Sequence, residues 1–156
     1  PLPPIVIVLA KLVPYFVISC LNFTTILLLS TFLLHIPIAG SLIGLVAITL
    51  LYIMVALLLG LFISTLANSQ LAAMLLSLLL IVPTVYLSGL AFPIESMPEV
   101  LQRISNIVPA RWYIAVVRKL MIQGVEMRYV LHETAVLALM AVVLLLVSWK
   151  LFKTRL

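Results

Sequence analysis

Charge is scarce in this chain. Of 156 residues, nine are Lys or Arg and four are Asp or Glu, together 8%. Soluble domains carry about a quarter of their residues charged, and water would not tolerate so much apolar surface on so short a chain. Cysteine is nearly absent too. Cys20 stands alone, which excludes an internal disulfide and any cysteine-built metal site; lying mid-span, it reads as a small core residue. Five glycines, with no G-x-x-x-x-G-K-[ST] run, cannot form a phosphate cradle. The basic residues make no continuous stripe, so the net charge of +5 is no nucleic-acid footprint. Basic residues beside apolar runs meet lipid head groups instead.

Enzyme signatures are missing as well. His132-Glu133 is followed by Thr134-Ala135-Val136, so the second histidine of a zinc-peptidase helix is not there. Ser88 and His132 lack the glycine-flanked serine motif that an intramembrane serine protease would need. No catalytic, cofactor-binding or metal-binding residue is expected. The start has no basic n-region and apolar stretches recur to the end, which argues against a signal peptide. Opening on Pro1-Leu2-Pro3-Pro4 without Met, the chain reads as part of a longer polypeptide.

What is present is hydrocarbon. Hydrophobic residues make up 66%, and the mean hydropathy is +1.41. A helix needs about 20 apolar residues to cross a bilayer. Such runs are expected over about 15–34, 41–66, 71–92 and 129–151. The second holds sixteen Leu, Ile, Val or Phe residues, enough to favour insertion by several kcal/mol on the biological scale. Residues 35–40 and 67–70 are tight turns, so the spans they join are antiparallel neighbours. Backbone in lipid must bond internally, which leaves helices as the form for these runs. The expected fold is all-α: one polytopic membrane helix bundle with four transmembrane helices.

The segment of about 95–124 differs. Ser96-Met97-Pro98-Glu99 reads as a capping box, the Ser96 hydroxyl on the amide three residues on and Glu99 reaching back. Met97, Val100, Leu101, Ile104 and Val108 then recur at helical spacing. Pro109 breaks that helix; a second runs from Ala110 to Gln123, with Gly124 as C-cap. Arg111 and Arg118, seven apart, share a face. Neither helix is long enough to cross. Together they form a hairpin before the last span, either interfacial or re-entrant, with Trp112 and Tyr113 at head-group level.

Polar residues within spans are few. Asn22 is expected to hydrogen-bond a neighbouring helix, with pathway lining as the other reading. Pro83 removes one backbone bond and kinks the third span. Glu133 reads as half of a head-group-level ion pair, with a proton relay as the alternative. Four basic residues near the chain ends face five on the hairpin side, so the positive-inside rule leaves the orientation open.

Leu87-Ser88-Gly89-Leu90-Ala91-Phe92-Pro93-Ile94-Glu95-Ser96-Met97-Pro98, then Pro109-Ala110-Arg111-Trp112-Tyr113, then Arg118 and Gly124, resemble the type-2 ABC transporter permeases, more narrowly those of bacterial drug-efflux-like exporters. The resemblance spans essentially the whole chain. It implies the last four spans of a six-span permease in the bacterial inner membrane, with the hairpin extracytoplasmic and the C-terminus cytoplasmic. The hairpin motif would be carried by Pro93, Glu95, Ser96, Pro98, Glu99, Pro109, Arg111 and Arg118. It implies a second permease copy, identical or not, and a separate ATPase subunit that binds ATP and magnesium, with no cofactor in this chain. Pro4 and Lys11 would lie near that ATPase contact, or simply open a helix. Thr84, Tyr86 and Ser88 would face the central pathway, with Asn22 a further candidate. The family's basic residue between its fourth and fifth spans has no counterpart in Asn68-Ser69-Gln70, which weakens the orientation signal. A channel or secondary transporter, or a non-transporting membrane scaffold, are the competing classes.

Overall fold

A computed structural model describes residues 4–35, 42–90, 92–124 and 127–155; of Pro4, Ile5, Val8, Ile122, Met127 and 152–155 it describes the backbone only. The 36–40 turn, Ala91 and Glu126 therefore lie outside what is described. Helix α1 runs Pro4–Leu28 and continues as a π-turn over Leu29–Leu33. Helices α2 (Leu42–Leu66) and α3 (Gln70–Leu87) follow. A 3₁₀ turn, Ile94–Ser96, leads into α4 (Glu99–Ser105) and α5 (Pro109–Val117). A π-turn over Arg118–Gln123 prolongs α5, and α6 spans Leu131–Arg155. The described residues contain no strand. Four stretches are long and apolar enough to cross a membrane: Leu9–Leu33, Leu42–Leu66, Gln70–Leu87 and Arg128–Leu151.

Several boundaries differ from the sequence reading. The first helix starts well before Tyr15 and passes through Pro14. A proline inside an apolar helix costs one backbone bond without ending it, because in lipid neighbouring groups re-satisfy the freed carbonyl and no water competes. The third span stops at Leu87 instead of Phe92. There Ser88 forms the C-cap and Gly89 takes φ +88°, a conformation that side-chain-bearing residues rarely adopt. Its start is set by Ser69, whose hydroxyl accepts the Ala72 amide at 3.1 Å. The capping box at Ser96 does not form. Ser96 is the last residue of the 3₁₀ turn, and α4 begins at Glu99 behind Pro98 with no side-chain cap. Met97 precedes Pro98 and is held extended at ψ 153°, so no helix can start behind Ser96; Glu99 pairs with Arg103 at 2.7 Å on the exposed surface. Gly124 does end its helix in the left-handed region, at φ +68°.

The core is built around α2. Leu45, Ile48 and Val55 from α2 close against Val116 and Leu120 of the hairpin and against Val130 and Leu137 leading into and along α6. Thus α5 packs against both α2 and α6, which are also direct neighbours of each other. A second, smaller cluster joins Leu12 of α1 to Leu58 and Leu61. By contrast, α3 has no fully buried residue; Leu71, Met74, Leu78 and Leu79 are all exposed, a surface that only lipid or another protein can cover.

Gly89 and Gly60 make opposite demands. A Cβ on Gly89 would stand 3.3 Å from two Ile94 side-chain carbons, in a left-handed backbone; a Cβ on Gly60 would meet nothing within 4 Å. Gly89→Ala is therefore expected to lower the thermal midpoint of the full-length protein, by the equivalent of about 1–2 kcal/mol. Gly60→Ala should leave it unchanged or raise it. Melting curves in detergent for the two variants check both signs.

Candidate functional site: the helical hairpin and the cavities around it

The hairpin turns at 106–109, and its corner shares a cavity wall with Leu139, Met140, Val143 and Leu144 of α6. Chain inside a bilayer can leave the helical form only where its polar groups are satisfied by protein, and here they are. The amides of Asn106, Ile107, Val108 and Arg111 donate to the carbonyls of Arg103, Ile104, Ser105 and Val108, at 3.1–3.2 Å. The Trp112 indole donates to the Asn106 carbonyl at 2.9 Å, and the Ser105 hydroxyl to that of Gln102 at 2.6 Å. Gln102 ties α4 back to the preceding turn by donating to the Met97 carbonyl at 2.9 Å. Pro109, without an amide to satisfy, opens α5.

Two adjacent basic residues lash the second arm to the bundle. Arg118 Nη2 donates to the Gly89 carbonyl at the end of α3, 2.6 Å away. Lys119 Nζ meets Glu133 Oε1 on α6 at 2.5 Å. Glu133 is buried, so the ion-pair reading holds for it, with Lys119 as the partner. Tyr113 stacks on Tyr52 with centroids 4.5 Å apart and lies 2.9 Å from the Thr49 hydroxyl. Thr49 spends its one proton on the Leu45 carbonyl, so Tyr113 donates. Burial pushes the Tyr113 phenol up, outweighing the opposing effect of the Thr49 bond, and the donor stays protonated. Trp112 packs edge-on to His132 near the start of α6.

Three cavities surround this hairpin. The first, about 540 Å³, is walled by α2, α3, the hairpin corner and α6, among them Tyr52, Leu80, Pro83, Thr84, Ile107 and Val143. It holds no charged side chain. Pro83 lacks the amide that would bond the Leu79 carbonyl, yet α3 stays helical through it. A second, about 400 Å³, lies between α1, α2 and α5 and has a more polar wall that includes Asn22, Thr49 and Tyr113. A third, about 180 Å³, sits where α3 and the 3₁₀ turn meet α5 and α6; Ser88, Glu95, Arg111, Arg118 and Glu133 line it.

The structure separates the three candidates on α3. Thr84 lines the apolar cavity, with its hydroxyl turned back to the Leu80 carbonyl at 2.7 Å. Ser88 is buried at the polar cavity, bonded to Val85 and Leu90 backbone. Tyr86 points the other way, exposed and stacked on Phe92 at 5.8 Å. The reason is helical: positions two apart are rotated by about 200°, so Tyr86 cannot share a face with Thr84 and Ser88. Asn22 lies at the second cavity and makes no hydrogen bond to a neighbouring helix among the described residues, so that expected bond is not formed. Of the hairpin motif, Arg111 stacks over Trp112 at 4.8 Å and Arg118 holds Gly89. Glu95 is exposed at the polar cavity, Pro93 accepts the Ser96 amide, and Pro98 accepts that of Gln102. Pro4 starts α1, and Lys11 borders a groove of about 840 Å³ between α1 and α2 with Pro14, Gly60 and Ser64. Sequence reading missed Lys119, Gln102 and Tyr52; their partners stand 14, 5 to 7 and 61 positions away, and no local pattern marks them. The described residues gather no group of three possible metal ligands.

The fold and this hairpin define a multi-pass membrane protein with a helical hairpin before its last span. The chain belongs to the ABC-2 type transporter family, which matches residues 1–122. It is similar to the probable multidrug ABC transporter permease YbhS of Escherichia coli K12, 32% identical over 151 residues, which are 96% of this chain and 40% of that protein. YbhR of the same strain is 27% identical over 121 residues, 78% of this chain and 33% of its own length. The ABC transporter G family member 20 of Dictyostelium discoideum is 31% identical over 106 residues, 68% of this chain and 14% of that protein. The chain thus spans well under half the length of these curated relatives. No solved structure matches it.

The Lys119–Glu133 pair is partly shielded, with side-chain exposures of 34% and 11%, whereas Arg103 and Glu99 are 77% and 76% exposed. Breaking the first by Lys119→Met leaves a buried carboxylate without its cation and should cost roughly 3 kcal/mol. Arg103→Ala should cost under about 0.5 kcal/mol. The double variant Lys119→Met with Glu133→Leu should recover most of the loss, which a double-mutant cycle in denaturant would read.

Proposed function

We propose that this chain is the pathway-forming part of the permease of an ATP-binding cassette exporter. It works in the bacterial inner membrane as a dimer of permeases, coupled to a separate ATPase subunit that carries ATP and magnesium. The observation that carries the reading is the match to the ABC-2 type transporter family across residues 1–122. The multidrug permease names of YbhS and YbhR support export of drug-like cargo, as does a cavity whose wall has no charged side chain. In this reading the exposed face of α3 borders the central pathway and meets the second permease copy, with Thr84 at its apolar cavity, Ser88 at its outer end and Tyr86 on the outward face. Asn22 lines a side cavity of the same pathway. The α1 start, with Pro4 and Lys11, lies toward the ATPase. Closure of the ATPase pair moves that end, rocks the bundle, and switches the pathway between the two sides. The hairpin stays on the external side as a charge-pinned plug against α2 and α6.

The test uses the full-length permease with its ATPase in proteoliposomes and an uncharged fluorescent drug. Transport should require ATP hydrolysis, and an ATPase-inactive partner should abolish it. Thr84→Trp, which fills the apolar cavity, should lower transport about tenfold, a barrier change of about 1.4 kcal/mol, with the thermal midpoint held. Transport indifferent to the partner's ATPase would refute the reading.

A further inference from the structure

The polar cavity carries an inference of its own. Glu133 is 8% exposed, and only its Oε1 is engaged; Oε2 is buried and has no partner. Across the same cavity, Arg111 Nη1 is also buried and unpartnered. No ion pair joins the two. A buried charged group left unsatisfied is costly, and such groups recur chiefly where something else completes them. A simple anion would satisfy Arg111 Nη1 and leave Glu133 Oε2 unmet; a simple cation would do the reverse. The cavity mouth repeats the pairing of signs, with Glu95 and Arg118 both exposed there. The complement to this arrangement is one molecule that carries both an anionic oxygen and an N–H-bearing cation.

The position says which such molecule. Ser88 caps the end of α3 and Glu133 is the third residue of α6, so the polar cavity lies at the depth of lipid head groups. The uncharged cavity of about 540 Å³ is bordered by the same two helices further in, at Thr84 and Leu80 of α3 and at Leu139 and Val143 of α6. Those α6 positions lie about 9 and 15 Å along the helix from Glu133, at about 1.5 Å per residue. Helix α5 serves both cavities, giving Arg111 to the polar one and Pro109 and Ala110 to the apolar one. Charge above and hydrocarbon below, on shared walls, is the profile of one phospholipid.

We propose that the paired cavities bind a phospholipid with a primary-amine head group, its phosphate on Arg111 and Arg118 and its ammonium on Glu133 and Glu95, with an acyl chain in the apolar cavity. Binding needs neither ATP nor transport, so it stands or falls apart from the exporter reading.

Native mass spectrometry of the full-length protein, released from nanodiscs of mixed phosphatidylethanolamine, phosphatidylcholine and phosphatidylglycerol, tests this directly. Phosphatidylethanolamine should be retained at least about tenfold over the other two, the equivalent of about 1.4 kcal/mol. Phosphatidylcholine has no N–H to give Glu133, and phosphatidylglycerol has no cation. Glu133→Gln and Arg111→Gln should each erase the preference, while Arg103→Gln should keep it. Equal retention of all three lipids by the unmodified protein overturns the proposal, whether or not the variants fold. Free phosphoethanolamine should compete only at far higher concentration than the lipid; if it binds as tightly, the apolar cavity contributes nothing and the lipid assignment fails.

Discussion

A bent chain can sit at bilayer depth only if the protein itself meets every polar group the bend exposes. The hairpin depends on that constraint, and Arg118 and Lys119 meet its hardest part. They are neighbours in sequence, yet one reaches the end of α3 and the other the start of α6. They stand at the opening of a π-turn, a local widening that recurs at functional positions. Two charge-assisted bonds thereby fix the hairpin to both spans that flank it. Around this pair the apolar packing of Val116 and Leu120 on Leu45 and Ile48 follows. Burial alone is non-directional; it would hold α5 in the bundle without setting its depth or rotation.

The consequence for function is a division of surfaces. The side of the hairpin facing α2 is core, locked by the Tyr113–Tyr52 stack and the Thr49 bond. The side facing α3 is open, because α3 meets its neighbours with half-buried and exposed residues only. Cavities form along that looser seam, apolar at depth and polar near the head groups. A helix packed this lightly is the element whose displacement disturbs the fewest buried contacts.

Much of this was legible from residue order. Charge scarcity and run length located four spans, because a bilayer imposes length and composition on whatever crosses it. Pro109 and Gly124 marked the bend and end of the hairpin, since a missing amide and a left-handed backbone are properties of single residues. Where local chemistry had rivals, the sequence misled. Ser96 and Glu99 fit a capping box, but Met97 before Pro98 is held extended and no helix starts behind Ser96. Tyr113 carries an interfacial signature, and no local pattern shows its aromatic partner on α2 or the hydroxyl one turn from it. Thr84, Tyr86 and Ser88 stand two apart in sequence, and helical rotation turns Tyr86 away from the other two.

The sequence by itself determined the solvent, the number of crossings and the place of the interruption, because those follow from composition and from the backbone preferences of individual residues. Tertiary structure alone decided that the hairpin packs against both α2 and α6, that Lys119 and not another cation neutralises Glu133, and that Arg111 Nη1 is left without an acceptor. Each of those facts joins residues from separate helices, and no periodicity within one segment encodes which distant face it will meet.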